Sequence, residues 1–417
     1  MARLALDQAP PASLPRQFLL SAPLWGVLAG VLLLVDGDVA LRTRWQPATL
    51  ALVHVFTLGV FGNVMFGSVL QFLPAAAGVR VRGGVRLGRL LHAVFNLGVL
   101  LLVAGLHEGW RGALRGGAVL LPLAFATLAG MTMPGLCVAA GQRLLRAGIG
   151  AAIGFGVLTA LLGALLALAL VDGTTLSMAA LVDVHASWGV LGWIVLLLAS
   201  VARIVMPMFQ GTAAMPERAQ TLWLASVLLM LPAAAWWRWA RDDGRWLLAT
   251  VAVHVALFAG AALWLQWRSP RVRRAPLLWS WRGGLIALAL AAVLLTGGAR
   301  GAVLAATLGL GIALPLLLAG MALEIVPFIG WIDLHRRCGR GLQLPGVQRL
   351  LPDSDKLGVL LAQWPLLLLP AAALWPSPWL ARAAGVALAC AWLGTWSALR
   401  GVHRRAEAFV AALPQHP

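Results

Sequence analysis

Tyrosine is absent from the 417 residues, and lysine occurs once, at Lys356. Charged residues make up 11% of the chain, and only 14 residues are acidic. The three cysteines, Cys137, Cys338 and Cys390, are isolated, with no CxxC pair. Such cysteines build neither a disulfide framework nor a thiolate metal site. No Walker sequence, no strand-borne GxGxxG and no Ser-His-Asp pattern occurs, so nucleotide-driven and ordinary hydrolase chemistry lack a carrier. What the chain has instead is apolar surface, at 61% hydrophobic residues. A soluble domain of this size cannot bury that much, so the bilayer is the expected solvent. The formal charge of +18 comes from arginines set between apolar runs rather than gathered into a basic domain. That distribution argues against nucleic acid as a partner.

Apolar runs of about 20 residues are the signature of membrane helices. Twelve are present, near 17–35, 47–74, 86–106, 113–138, 145–171, 178–208, 220–238, 246–267, 276–296, 301–330, 357–375 and 378–399. None alternates with the period of two that a β-barrel needs. With the N-terminus placed in the cytoplasm, 22 basic residues fall inside, 9 fall outside, and Arg203 lies within a span. That asymmetry predicts both termini inside and an even number of helices. The expected architecture is an all-α integral membrane protein with twelve transmembrane helices. It comprises a cytoplasmic tail over 1–16, one membrane domain over 17–400 and a cytoplasmic tail over 401–417. The polar, Pro-rich start lacks a signal-peptide layout, so the first run is expected to be a retained helix.

An internal repeat runs through the second, sixth and tenth spans. They end FGSVLQFLPAAAG, LASVARIVMPMFQG and LAGMALEIVPFIG. Aligned on Pro74, Pro207 and Pro327, each has a small residue seven positions earlier (Gly67, Ser200, Gly320). Each has a polar residue three or four positions earlier (Gln71, Arg203, Glu324), and a glycine follows (Gly78, Gly211, Gly330). The spacing of four spans divides the membrane domain into three pseudo-symmetric four-helix units, about 17–140, 145–268 and 276–400. Small residues allow close helix approach, so these three spans are expected to be inner helices. Arg203 and Glu324 are expected to pair, with Gln71 nearby, either as an interhelical tie or as part of a polar or proton path.

Eight histidines complete the candidates. His403 and His416 fall in the C-terminal tail, His335 in a basic loop, and His107 beside Glu108 at a helix end. His54, His92, His185 and His254 lie within spans, where an imidazole needs a partner and is a good ligand for haem iron or copper. His54 and His185 open spans 2 and 6, 20 and 22 residues before the anchoring prolines. Each precedes a small, closely packing segment, TLGVFG or SWGVLG, and span 10 has a comparable TLGLG without a histidine. His254 is the third candidate ligand; His92 is expected to belong elsewhere. No HExxH, HxxxH or paired HH supports a three-histidine copper or zinc site.

Twelve spans, three four-helix arcs and a histidine opening span 2 above a Gly-rich helix resemble the haem–copper oxidase subunit I superfamily, which includes nitric oxide reductases. HVFTLGVFGNVMFGSVLQFLP and HASWGVLGWIVLLLASVARIVMPMFQ are most similar to a divergent bacterial branch near the NnrS-type haem proteins. The resemblance implies a multi-pass protein of the bacterial inner membrane that holds haem through His54, with His185 or His254 as second ligand. Copper is the lesser expectation. It also implies a redox, nitric oxide-handling or sensing role, with a respiratory electron donor or another membrane subunit as partner. The departures are that span 7 has no histidine pair, span 10 has no histidine, and the missing tyrosine rules out a histidine–tyrosine crosslink. A full oxygen-reducing centre is therefore not expected, and the sequence singles out no catalytic residue. The alternative is a transporter or respiratory accessory protein that kept the fold, lost the cofactors and uses a Gln71/Arg203/Glu324 cluster.

Overall fold

The computed structural model describes residues 9–338 and 342–413. Arg3, Arg340, His416 and the first half of the N-terminal tail lie outside the described residues. Every regular element among the described residues is helical. Among the described residues, eleven helices are long and apolar enough to cross a membrane. They are α1 (Ser13–Leu41), α2 (Pro47–Ala77), α3 (Gly84–Glu108), α4 (Arg111–Val138), α5 (Arg143–Asp172), α6 (Met178–Gln210), α7 (Glu217–Arg241), α8 (Arg245–Arg268), α9 (Pro276–Leu294), α10 (Gly298–Cys338) and α11 (Asp353–Leu374). The last predicted run lies on α12 (Pro378–Ala411), a helix of 34 residues. Arg382, Arg400 and three tryptophans keep its hydropathy below that of the eleven. The chain is thus an all-α membrane protein. The helix α12 continues through 401–411, which the sequence reads as tail.

The repeat positions do what their residue types predict. α2, α6 and α10 are the most buried spans, with 72%, 67% and 61% of their apolar windows enclosed. They meet pairwise. Phe66 of α2 faces Trp193 of α6 at 6.2 Å between ring centroids, and Phe209 of α6 faces Phe328 of α10 at 6.3 Å. Each small repeat residue is where the inner helix touches the helix before it. A Cβ at Gly67 would lie 2.8 Å from Phe18 on α1, and one at Gly320 would lie 2.6 Å from Ser280 on α9. In the middle unit the small residue is Ser200, and the close approach is supplied by Gly148 on α5 opposite it. The outer ring closes where α1 meets α12. There, Gly30 and Gly385 bring backbones so close that a Cβ on either would stand within 2.7 Å of the other chain segment.

Two expectations need correction. Gly78 and Gly211 end their helices in the left-handed conformation, at φ 61° and 71°, as helix-terminating glycines do. Gly330 does not: α10 runs on to Cys338, carried by helix-forming residues and the Asp333–Arg337 pair one turn apart. The second correction concerns the polar residues. Arg203 and Glu324 do not pair. Arg203 donates to the Met215 carbonyl (2.8 Å) and to Gln220 Oε1 (2.9 Å), at the start of α7. Glu324 accepts from Lys356 Nζ at 2.7 Å, on α11. Gln71 Oε1 is buried without a partner. Arg203 and Glu324 each pair with the next helix along the chain. Equal depth in a threefold arrangement does not bring equivalent positions together.

Candidate functional site

Each inner helix contains a π-helical stretch: Val55–Gly62 in α2, Trp188–Val195 in α6 and Gly309–Ala313 in α10. These begin 19, 19 and 18 residues before Pro74, Pro207 and Pro327, so the widened turn is part of the repeat. π-turns are rare and concentrate at functional sites. Paired glycines make room for them. A Cβ on Gly59 would meet Trp25, on Gly62 Phe95, and on Gly192 Phe155, all within 2.7 Å. The glycine pairs are visible in the sequence as TLGVFG, SWGVLG and TLGLG; the wider hydrogen-bond period is not.

His54 and His185 stand just before two of these stretches, and the fold brings their rings close together. Their ring centroids are 6.1 Å apart with planes at 27°. His54 Nδ1 lies 2.7 Å from the Leu50 carbonyl, and His185 Nδ1 lies 3.0 Å from the Thr159 carbonyl on α5. A carbonyl only accepts, so both Nδ1 atoms carry the proton and both Nε2 atoms keep a free lone pair. A histidine that binds metal is oriented in this way, one nitrogen donating to a backbone carbonyl and the other facing the ion. The offset of 20 against 22 residues from the repeat proline is not an obstacle, because the two side chains approach each other from different units.

The surroundings are built for these rings. A Cβ at Gly163 would stand 2.9 Å from His185 Cε1, so the glycine keeps α5 against the imidazole. Thr159, whose carbonyl holds His185, has a buried hydroxyl with no partner, and Trp188, the first residue of the π-stretch, has an unpartnered indole N–H. At the same end, Asp183 accepts from Arg44 (2.7 Å) and from Arg238 (2.8 Å), while Arg238 also pairs with Asp242. This carboxylate ties the α1–α2 connection and the end of α7 to the turn of α6 that carries His185. Sequence reading missed Gly163, Asp183 and Arg238, because each acts through a neighbour distant in the chain.

The other histidines are committed elsewhere. His254 Nδ1 donates to the Thr250 carbonyl (2.7 Å) and its Nε2 lies 3.0 Å from Ser226 Oγ, so both ring nitrogens are occupied. His92 Nε2 donates to Ser21 Oγ, whose own proton goes to the Gln17 carbonyl. His107 bridges Glu108 and Asp36. His335 is exposed and donates to the Trp331 carbonyl, and His403 is half-buried and accepts from Arg16. Cys137, Cys338 and Cys390 are free thiols. Comparison with protein-family models and with curated proteins finds no match to this chain.

The 6.1 Å between the two ring centroids matches the spacing of two imidazoles that share one metal. Two metal–nitrogen bonds of about 2.0–2.1 Å, plus a ring radius of roughly 1 Å on each side, separate two imidazole centroids by about 6 Å. Histidine nitrogen is also a common protein ligand of haem iron.

Proposed function

We propose that the chain is a multi-pass protein of the bacterial inner membrane that binds haem through His54 and His185, on a bundle of the haem–copper oxidase type. In this reading α12 is the twelfth transmembrane helix and both termini are cytoplasmic, in keeping with the distribution of basic residues. The observation that carries the reading is the close pair with both Nδ1 atoms tied to carbonyls and both Nε2 atoms left open. Bound haem would supply one-electron or gas-ligand chemistry, which suits a redox, nitric oxide-handling or sensing role. The chain's own residues orient the two half-buried ligands and hold their tautomers, through carbonyls on α2 and α5. Copper held by the same pair is the lesser alternative, because two histidines leave a bare ion short of ligands.

The test is the visible spectrum of the protein purified from haem-replete cells, oxidised and reduced. A Soret band is expected, and His54→Ala and His185→Ala each abolish or shift it while His254→Ala leaves it in place. Absence of the band, or its indifference to both substitutions, overturns the proposal. The transporter or accessory-protein alternative depends on a joined Gln71/Arg203/Glu324 cluster, and those residues have separate surroundings.

A further inference from the structure

We propose that the end of the hairpin formed by α8 and α9 binds the phosphate head of an anionic phospholipid. The proposal does not rest on the histidine pair. Residues 264–282 read WLQWRSPRVRRAPLLWSWR, with five arginines, four tryptophans and no acidic residue. Arg268 ends α8, Arg271, Arg273 and Arg274 lie on the connection, and Arg282 stands six residues inside α9. The first four are exposed and Arg282 is half-buried. Among the described residues none of the five enters an ion pair, whereas Arg42, Arg115, Arg238, Arg337 and Arg405 each meet a carboxylate. Arg282 Nε is buried without a partner. Six residues carry Arg282 about 9 Å along the helix, so its charge turns back to the headgroup layer for acceptors.

A second observation is independent of charge. The connection is fastened to the end of α6 through groups other than its arginine side chains. The Arg273 N–H donates to the Gln210 carbonyl (2.8 Å), and the Ala213 N–H donates to Ser269 Oγ (2.8 Å). Gln266 Nε2 donates to Gln210 Oε1 (2.8 Å), and a Cβ on Gly211 would stand 2.4 Å from the Arg271 carbonyl oxygen. The loop is held in place while its guanidinium groups stay open to a ligand.

The ligand class follows from the pairing of arginine with tryptophan. Arg268 lies over Trp264 at 5.7 Å and Arg282 over Trp279 at 5.4 Å. Stacking uses the face of the guanidinium and leaves its N–H edge for oxygen, in the fork that matches phosphate. Trp264, Trp267 and Trp279 are 46%, 68% and 52% exposed near the ends of membrane-spanning helices, where indoles sit at headgroup level. Cation and apolar ring side by side suit a phosphate that carries acyl chains, rather than free phosphate. Arginine clusters beside membrane helices attract anionic lipid in general. The exposed Arg82, Arg86 and Arg89 supply a comparison of equal charge, because no tryptophan lies between residues 79 and 96.

The full-length protein in nonionic detergent is equilibrated with equal amounts of dioleoyl phosphatidylglycerol and dioleoyl phosphatidylcholine and re-isolated, and mass spectrometry measures the lipid retained. Preferential retention of phosphatidylglycerol is expected, lowered about tenfold or more in Arg271→Gln/Arg273→Gln/Arg274→Gln and about fivefold in Arg282→Gln. Trp279→Leu, which keeps every charge, is expected to lower it as well. Arg82→Gln/Arg86→Gln/Arg89→Gln is expected to leave it in place. The replaced side chains are exposed or half-buried, and a single symmetric peak on a sizing column qualifies each variant. No preference in the parent protein, equal loss in the two triple variants, an unchanged preference in Trp279→Leu, or displacement of the lipid by millimolar inorganic phosphate overturns the proposal.

Discussion

At the scale of single residues, Lys356 was the most informative position to have been passed over. In a chain whose other 31 basic residues are arginine, the one lysine is fully buried against Glu324. A compact ammonium on a flexible stem fits such a site, where the planar fork of arginine needs more acceptors. Lys356→Met leaves a buried carboxylate unpaired and is expected to cost about 3–5 kcal/mol. Thermal melting in detergent should show this loss, with most of it recovered in the double variant Glu324→Leu/Lys356→Met. A second prediction concerns pH. Burial and the Arg16 charge hold His403 below its ordinary value, and Arg337 holds Glu407 below the usual carboxylate range. Both groups therefore bind fewer protons in the folded state than in the unfolded state, and their contribution to stability is present at neutral pH and lost on acidification. The loss begins through His403 below about pH 6.5 and continues through Glu407 below about 4.3. Amide protection factors, corrected for the intrinsic pH dependence of exchange, should fall in the last turns of α12 over this range, and His403→Gln should flatten the upper part of the change. Both side chains are partly solvated, so the effect is local and small.

At the scale of elements, the three inner helices are one device used three times: a π-stretch, a small contact residue, a polar residue and a proline. The proline and the small residue are readable from sequence because they act through local sterics. The π-stretch is not, because its hydrogen-bond period leaves no mark in hydrophobic periodicity; only the glycine pairs hint at it. Substitution within the device should therefore have graded effects. On the proposed haem reading, Gly163→Val is expected to push His185 aside and to shift the Soret band without replacing either histidine. Gly385→Val should separate α1 from α12 and cost about 1–3 kcal/mol or more, by overpacking against backbone. Gly394→Ala on the same helix, with nothing within 4 Å, should leave the melting temperature unchanged or raise it slightly.

At the scale of the whole molecule, α2, α6 and α10 are the most buried spans, and α1 packs against α12. The same arrangement decides which matching positions meet and which do not. His54 and His185, at near-equivalent positions, meet across two units. Arg203 and Glu324, at equivalent depth, each pair with the next helix along the chain. The topology is open to direct measurement. A fluorescent protein fused after residue 413 should fluoresce, and alkaline phosphatase fused there should stay inactive, if the terminus is cytoplasmic.

The sequence by itself determined the solvent, the helices and the repeat, because apolar run length, arginine spacing and the period of four spans are properties of the linear chain. It also singled out His54 and His185, since an imidazole in an apolar run needs a partner wherever it lies. Only the tertiary structure decided which partner: the rings lie close together, the Thr159 carbonyl of α5 fixes one tautomer, and Gly163 leaves the space. It likewise decided that Glu324 belongs to Lys356 and not to Arg203. Pairing at a distance depends on which faces of the helices turn toward one another, and no spacing along one chain segment specifies the rotation of another.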